Sequence, residues 1–264
     1  LSFLRRQESK TLYVILKWIP AFAGMTDMVK PFKFKKFTVN QDLCAMKIGT
    51  DSVLLGAWTS VKNNPFSILD IGSGTGIIAL MLAQRSNAEL IDAIEIDANA
   101  YEQCVGNFEQ SPWSDRLFCY HASLKEFNEE IEDKYDLIIS NPPFYSEDYK
   151  TKNEQRDLAR FTDAMSFEHL IECVSNLLSE NGTFSVIIPF KEEFNLIDLA
   201  SKVNLIPNRI LHVKGNPNSE IKRSLIEFSF HKINIEKSKL TIETERHQYT
   251  HDYVNLTKDF YLKM

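Results

Sequence analysis

The chain has 264 residues, 44% hydrophobic and 25% charged, enough for one large α/β domain or two small ones around a substantial core. Thirty Lys and Arg face 36 Asp and Glu, a formal net charge of −6, so a polyanionic partner would have to meet a local basic patch rather than an overall field. Cys44, Cys104, Cys119 and Cys173 are scattered with no CxxC pair, which argues against a zinc site or a disulfide framework and suits reduced thiols.

Residues 1–27 place Arg5 and Arg6 before an apolar run and Ala21-Phe22-Ala23, an imitation of a secretory signal that Lys17 interrupts. The expectation is a leader outside the fold, Met28 as the natural start, and a single domain over residues 28–264. No other apolar run approaches the ~20 residues of a membrane span. "KPFKFKKF" then interleaves Lys30, Lys33, Lys35 and Lys36 with Phe32, Phe34 and Phe37. Cations for phosphates beside rings for bases suit loop RNA. An edge strand with lysines in water and rings in the core fits equally well.

From residue 66 strands and helices alternate. "FSILDIGSG" reads as a strand entering a glycine turn, "GIIALMLAQRS" as a helix, "ELIDAIEID" as a strand and "ANAYEQCVGNFEQS" as a helix. "RLFCYHASL" and "YDLIISNPPF" are strands separated by a short acidic helix. A helix over about Phe167 to Ser179, an Asn181-Gly182 turn and the strand "TFSVIIP" follow. Such alternation predicts a mostly parallel sheet covered on both faces, with binding at the carboxyl ends of its strands. "NRILHVKG" and "IKRSLIEFSF", joined only by "NPNSE", predict an antiparallel hairpin at the sheet edge.

"LDIGSGTG" puts Asp70, Gly72, Gly74 and Gly76 at the first strand-to-helix junction, where glycines let a ligand lie against main-chain N–H groups. Alone this turn is weak evidence, since it also serves tight packing or dinucleotide binding. Glu95, at the next strand tip, is placed to accept hydrogen bonds from ribose hydroxyls. Asp97 beside it suits an adenine pocket or simply a helix cap.

"SNPPF" ends a strand in an unusually stiff turn. Asn141 offers a side-chain carbonyl and Pro142 a main-chain carbonyl, while Pro142 and Pro143 restrict the backbone around both. Two rigid acceptors beside an exocyclic amine favour the pyramidal nitrogen of a transition state in which that amine attacks an electrophile, without a base. Phe144 supplies a ring on which an extruded base stacks, and Tyr145 widens it.

"DIGSGTG" with "NPPF" resembles the amino-methyltransferases of nucleobases or of a glutamine amide. "FKFKKFTVNQDLCAMKIGTDSVLLGAW", "NEQRDLARFTDAMSFEHLI" and "YVNLTKDFYLKM" narrow the resemblance to the bacterial valine-tRNA adenine-N6 methyltransferases, over about Lys30 to Met264. The resemblance implies a Rossmann-like class I methyltransferase, with a seven-stranded, mostly parallel sheet, an antiparallel last strand and helices on both faces. It implies S-adenosylmethionine as methyl donor and the adenine 3′ of the anticodon as acceptor. Asp70 and the three glycines would take the methionine end, and Glu95 the ribose. Asp97 and Ser123 would take the adenine, although relatives often carry Asp at the latter position. The segment from Lys47 to Asp51 would close the pocket, with Thr50 and Asp51 as polar contacts and Asn141 bordering the cofactor. An N-capped amphipathic helix starting near Thr50 or Asp51 is compatible with this.

The catalytic set is then Asn141, Pro142, Pro143 and Phe144. Lys33, Lys35 and Lys36, with Lys150, Lys152, Arg156 and Arg160, would grip a tRNA anticodon stem-loop. The expected molecule is a cytoplasmic monomer or weak homodimer, with neither DNA nor membrane as a partner. His247 and His251 stand four apart without a third ligand, so no metal is expected. Three alternatives share these residues: guanine-N2 methylation of ribosomal RNA, glutamine methylation of release factors, and a non-catalytic RNA-binding subunit.

Overall fold

A computed structural model describes residues 30–143, 165–232 and 234–264. A short hairpin, β1 (Phe32–Lys33) and β2 (Thr38–Val39), precedes α1 (Thr50–Trp58). The alternating region is β3 (Ser67–Ile71), α2 (Ile77–Arg85), β4 (Leu90–Glu95), α3 (Ala98–Glu109), β5 (Leu117–His121), α4 (Leu124–Glu130) and β6 (Tyr135–Ser140). It continues through α5 (Phe167–Leu177), β7 (Leu178–Pro189), α6 (Glu193–Lys202), β8 (Ile206–Lys214) and β9 (Ile221–Ser229). The chain closes with β10 (Glu236–Thr241), β11 (Glu243–Glu245), β12 (Gln248–Tyr249) and α7 (His251–Thr257).

The central sheet has the order β10-β8-β9-β7-β6-β3-β4-β5. The seven strands and the antiparallel β8–β9 hairpin are as the sequence predicts, and β9 alone among the eight runs against its neighbours. The hairpin is not the edge, however. β10, which has no apolar run of its own, pairs in parallel with β8 and covers it.

Every residue of β3 is buried, so the sheet must be roofed on both sides. Ile68, Ile91, Leu137 and Ile187 face a core shared with α1, α2, α3 and α7, while Leu69, Ile94, Ile138 and Ile188 face α4, α5 and α6. Ile77 to Ala83 of α2 are all buried, which is the burial expected of a helix apolar on every side and enclosed by neighbours. In α5, by contrast, only the stripe Leu170, Ile171, Cys173, Val174 and Leu177 faces inward.

One boundary differs from expectation. The chain does not turn at Asn181-Gly182. Strand β7 begins at Leu178, and its register on β6 slips between Tyr135↔Leu178 and Leu137↔Thr183. Gly182 permits this bulge, because a Cβ there would lie 2.9 Å from the Tyr135 carbonyl oxygen and 2.7 Å from Leu178. Among the described residues no helix is long and apolar enough to cross a membrane.

Candidate active site

β3 has β4 on one side and β6 on the other, so the direction of winding reverses between β3 and β6, and the carboxyl ends of these two strands are where sheets of this kind take their ligands. Ile71 and Ser140 are register partners there, and the Ser140 hydroxyl donates to the Ile71 carbonyl at 2.9 Å. The glycine turn after Ile71 and the Asn141-Pro142 turn after Ser140 therefore leave the sheet side by side.

Gly72, Gly74 and Gly76 have φ of 71°, 55° and 75°, a region where a side chain is strained. Among the described residues nothing lies within 4 Å of a Cβ added at Gly72 or Gly74. The turn is tied to β4: Gly72 N and Ser73 N donate to the Ile94 carbonyl at 3.0 and 3.1 Å, and Gly74 N to Glu95 Oε2 at 2.8 Å. Ile96 N and Asp97 N both donate to Glu95 Oε1 at 2.9 Å. Glu95 is thus held by three backbone donors, and a carboxylate still has lone pairs for hydroxyls.

Asp70 is fully buried; its Oδ2 accepts from Ala79 N at 3.2 Å, and its Oδ1 has no partner among the described residues. Burial raises its pKa to about 7, against the lowering effect of the Ala79 bond, and the Glu95 charge adds to the rise. An orphaned acceptor beneath an open glycine turn fits a cationic ligand group such as the ammonium of S-adenosylmethionine.

Asp97 and Ser123 are committed to helix caps. Asp97 Oδ1 accepts from Ala100 N at 2.8 Å, and Ser123 shares a capping box with Glu126, its hydroxyl donating to Glu126 Oε2 at 2.7 Å. Beside them the fold presents Ile96, 56% exposed, whose carbonyl lies 3.0 Å from His121 Nε2.

The segment before α1 is anchored by two buried polar residues of α3 that sequence reasoning missed. Asn107 accepts from Asn40 N at 2.8 Å and donates to the carbonyls of Asn40 and Thr75, both at 2.9 Å; Gln103 accepts from Leu43 N at 2.9 Å. Polar residues at core positions of α3, one turn apart, were the available signal. Lys47 Nζ donates to the carbonyls of Gln41 and Cys44 at 2.6 and 2.9 Å, so its charge braces this segment. The Cys44 thiol is pushed up to about 11, first by burial and then by the charge of Glu95.

α1 starts at Thr50, capped by Gly49 without a side-chain bond, and is buried continuously from Val53 to Trp58 rather than amphipathic. Asp51 Oδ2 accepts from Arg223 Nε of β9 at 2.7 Å, while Thr50 is exposed. Asn141 Nδ2 donates to Ser52 Oγ at 3.0 Å; Pro142 is buried and Pro143 exposed. Phe144, Tyr145, Lys150, Lys152, Arg156 and Arg160 lie outside the described residues.

The expectation for "KPFKFKKF" divides. Phe34 and Phe37 are 4% and 6% exposed and stack at 4.7 Å, with Phe34 also against Tyr261, so these rings are core and not base platforms. Lys35 is exposed, and its Nζ donates to main-chain oxygens of Lys258 and Met264 at 2.6 and 2.9 Å, clipping the C-terminal residues. Lys33 and Lys36 stay exposed. His247 sits in the turn after β11 with φ 67°, and His251 opens α7, so the pair shares no helical face. A cavity of about 260 Å³ lined by Ser60, Asp136 and Asn181 opens elsewhere, and both Asp136 oxygens there are already bonded, to Phe66 N and Ser179 Oγ.

Residues 46–197 match the family model described as methyltransferase small domain. A tRNA1(Val) (adenine(37)-N6)-methyltransferase of Flavobacterium psychrophilum is 65% identical over 88% of this chain and 100% of its own; its namesake in Bacteroides fragilis is 47% identical over 88% and 98%. Among solved structures, a predicted O-methyltransferase of Agrobacterium tumefaciens superposes with a TM-score of 0.63 at 19% identity, covering 80% of this chain and 96% of its own. TYW2 of M. jannaschii, solved with AdoMet, gives 0.53 at 15% identity, covering 79% and 88%, and both likenesses concern the fold. With that fold and identities of this size over almost the full length of its relatives, the chain belongs to the tRNA1(Val) (adenine(37)-N6)-methyltransferase family.

Proposed function

We propose that this protein methylates the exocyclic N6 of an adenine in tRNA, adenine 37 of valine tRNA, as its relatives are named for doing. The observation that carries the reading is the emergence of Asn141 and Pro142 beside the glycine turn at the reversal point of the sheet. S-adenosylmethionine, when bound, supplies a methyl group made electrophilic by its sulfonium.

What remains for the protein is the acceptor, an amine whose lone pair is delocalised into the purine ring. Asn141 Oδ1 and the Pro142 carbonyl accept its two N–H bonds, draw the nitrogen toward pyramidal geometry and stabilise the positive charge that develops there. No base is needed, because the proton leaves a nitrogen that has become cationic. Phe144 is assigned the stacking face, and Pro143 restricts the turn. Glu95 holds the ribose, Asp70 and the glycines the methionine end, and Thr50 and Asp51 border the pocket. Lys33, Lys36, Lys150, Lys152, Arg156 and Arg160 take phosphates of the anticodon stem-loop. One domain over residues 28–264, acting in the cytoplasm as a monomer or weak homodimer, completes the reading.

The test is incubation with methyl-labelled cofactor and separate pools of tRNA, ribosomal RNA and release factor, followed by digestion. Labelled N6-methyladenine from tRNA alone is expected. Label in N2-methylguanine or in glutamine would replace this reading with one of its rivals.

The Asp70 assignment predicts a pH dependence. In the free protein Asp70 takes up its proton as pH falls through about 7, and a neutral carboxyl no longer attracts an ammonium. Affinity for S-adenosylhomocysteine, whose ammonium stays charged in this range, should weaken by up to about tenfold per unit below pH 7 and level off above about pH 8. Calorimetric titration from pH 5.5 to 8.5 measures it, and a wild-type profile as flat as that of Asp70→Asn would remove Asp70 from the site. The same raised pKa means that Asp70 favours the ligand-free fold fully below about pH 4, and that this contribution is lost as pH rises through about 7.

A further inference from the structure

We infer that Ser52 is a positioning residue for the methyl-transfer step, acting through Asn141. The inference rests on the role given above to Asn141. A primary amide has two unlike heads, and only the oxygen can accept from the acceptor amine. Asn141 Nδ2 donates to Ser52 Oγ at 3.0 Å, which occupies the wrong head and leaves Oδ1 as the one free to meet the amine.

Ser52 stands on a rigid support. It lies in the first turn of α1, immediately before the run Val53 to Trp58, which is buried throughout. Gly56 in that run lets α1 seat directly on Met81 of α2, since a Cβ there would lie 2.8 Å from the Met81 sulfur. The residue before Ser52 is also tied down, because Asp51 Oδ2 accepts from Arg223 Nε of β9 at 2.7 Å. The first turn of α1 thus spans from β9 to the tip of β6. Carried on that span, the Ser52 hydroxyl restrains the Asn141 side-chain torsions, which the following prolines do not fix.

The test compares Ser52→Ala, Ser52→Gly and Ser52→Thr with wild type by steady-state kinetics and cofactor titration, on whichever acceptor the wild type methylates. A wrong acceptor would then overturn the proposed function while leaving the Ser52 result readable. Loss of one neutral hydrogen bond to the amide should lower kcat about three- to tenfold in Ser52→Ala and Ser52→Gly. KM for the acceptor, cofactor affinity and melting temperature should stay close to wild type, and Ser52→Thr, which keeps the hydroxyl, should recover most of the rate. An unchanged kcat in both hydroxyl-free variants, or a loss that falls on cofactor affinity instead, overturns the inference. So does a Ser52→Thr enzyme that folds and yet is as slow as Ser52→Ala.

Discussion

Asn141→Ala is expected to lower kcat by about 10² to 10³-fold, the effect of removing one preorganised acceptor from a site that stabilises developing charge. The backbone should be spared, because Pro142 and Pro143 set the turn and the Ser140 hydroxyl still ties it to Ile71 at 2.9 Å. Cofactor affinity should remain within a few-fold of wild type, since the glycine turn and Glu95 are anchored by backbone bonds independent of Asn141. Single-turnover transfer measured beside cofactor titration separates the two quantities. Normal turnover in the variant would deny Asn141 its part in the chemistry, and a cofactor affinity lost together with turnover would make it a cofactor ligand first.

Gly76→Ala is expected to be the most damaging glycine substitution in the cofactor turn. Its φ of 75° costs a side chain about 1–2 kcal/mol. The added Cβ would also lie 2.5 Å from the Phe108 ring and 2.8 Å from Cys104 Sγ, so α3 would have to move off the turn it packs against. Together these suggest about 3 kcal/mol of lost stability, or roughly 10 °C in Tm for a domain of this size. Gly106→Ala, inside α3 with nothing within 4 Å of its added Cβ, should instead be neutral or slightly stabilising. Thermal melts of the two variants check the ranking, and equal losses would mean that α3 does not press on the glycine turn as described.

The site was readable in the sequence wherever its signal is local. A glycine-rich turn straight after a five-residue buried strand, an acid at the next strand tip, and an asparagine before two prolines each state their backbone geometry within a few residues. Ser52 carried no such signal. Its serine is ordinary in a helical first turn, and only folding brings it to a residue 89 positions away. Asp51 was legible as polar and near the pocket, but not as the partner of Arg223, 172 positions away.

Local patterning determined the alternation of strands and helices, the glycine turn and the stiff Asn-Pro-Pro turn, because backbone conformation and side-chain periodicity are properties of adjacent residues. Tertiary structure alone decided that Lys35 clips the C-terminal residues, that Phe34 and Phe37 face inward, and that β10 covers the hairpin. A cation or ring of the same type can meet RNA or its own chain. The choice is made by which distant segment arrives beside it, because neither a charge nor a ring carries in its own sequence neighbourhood the partner it will meet.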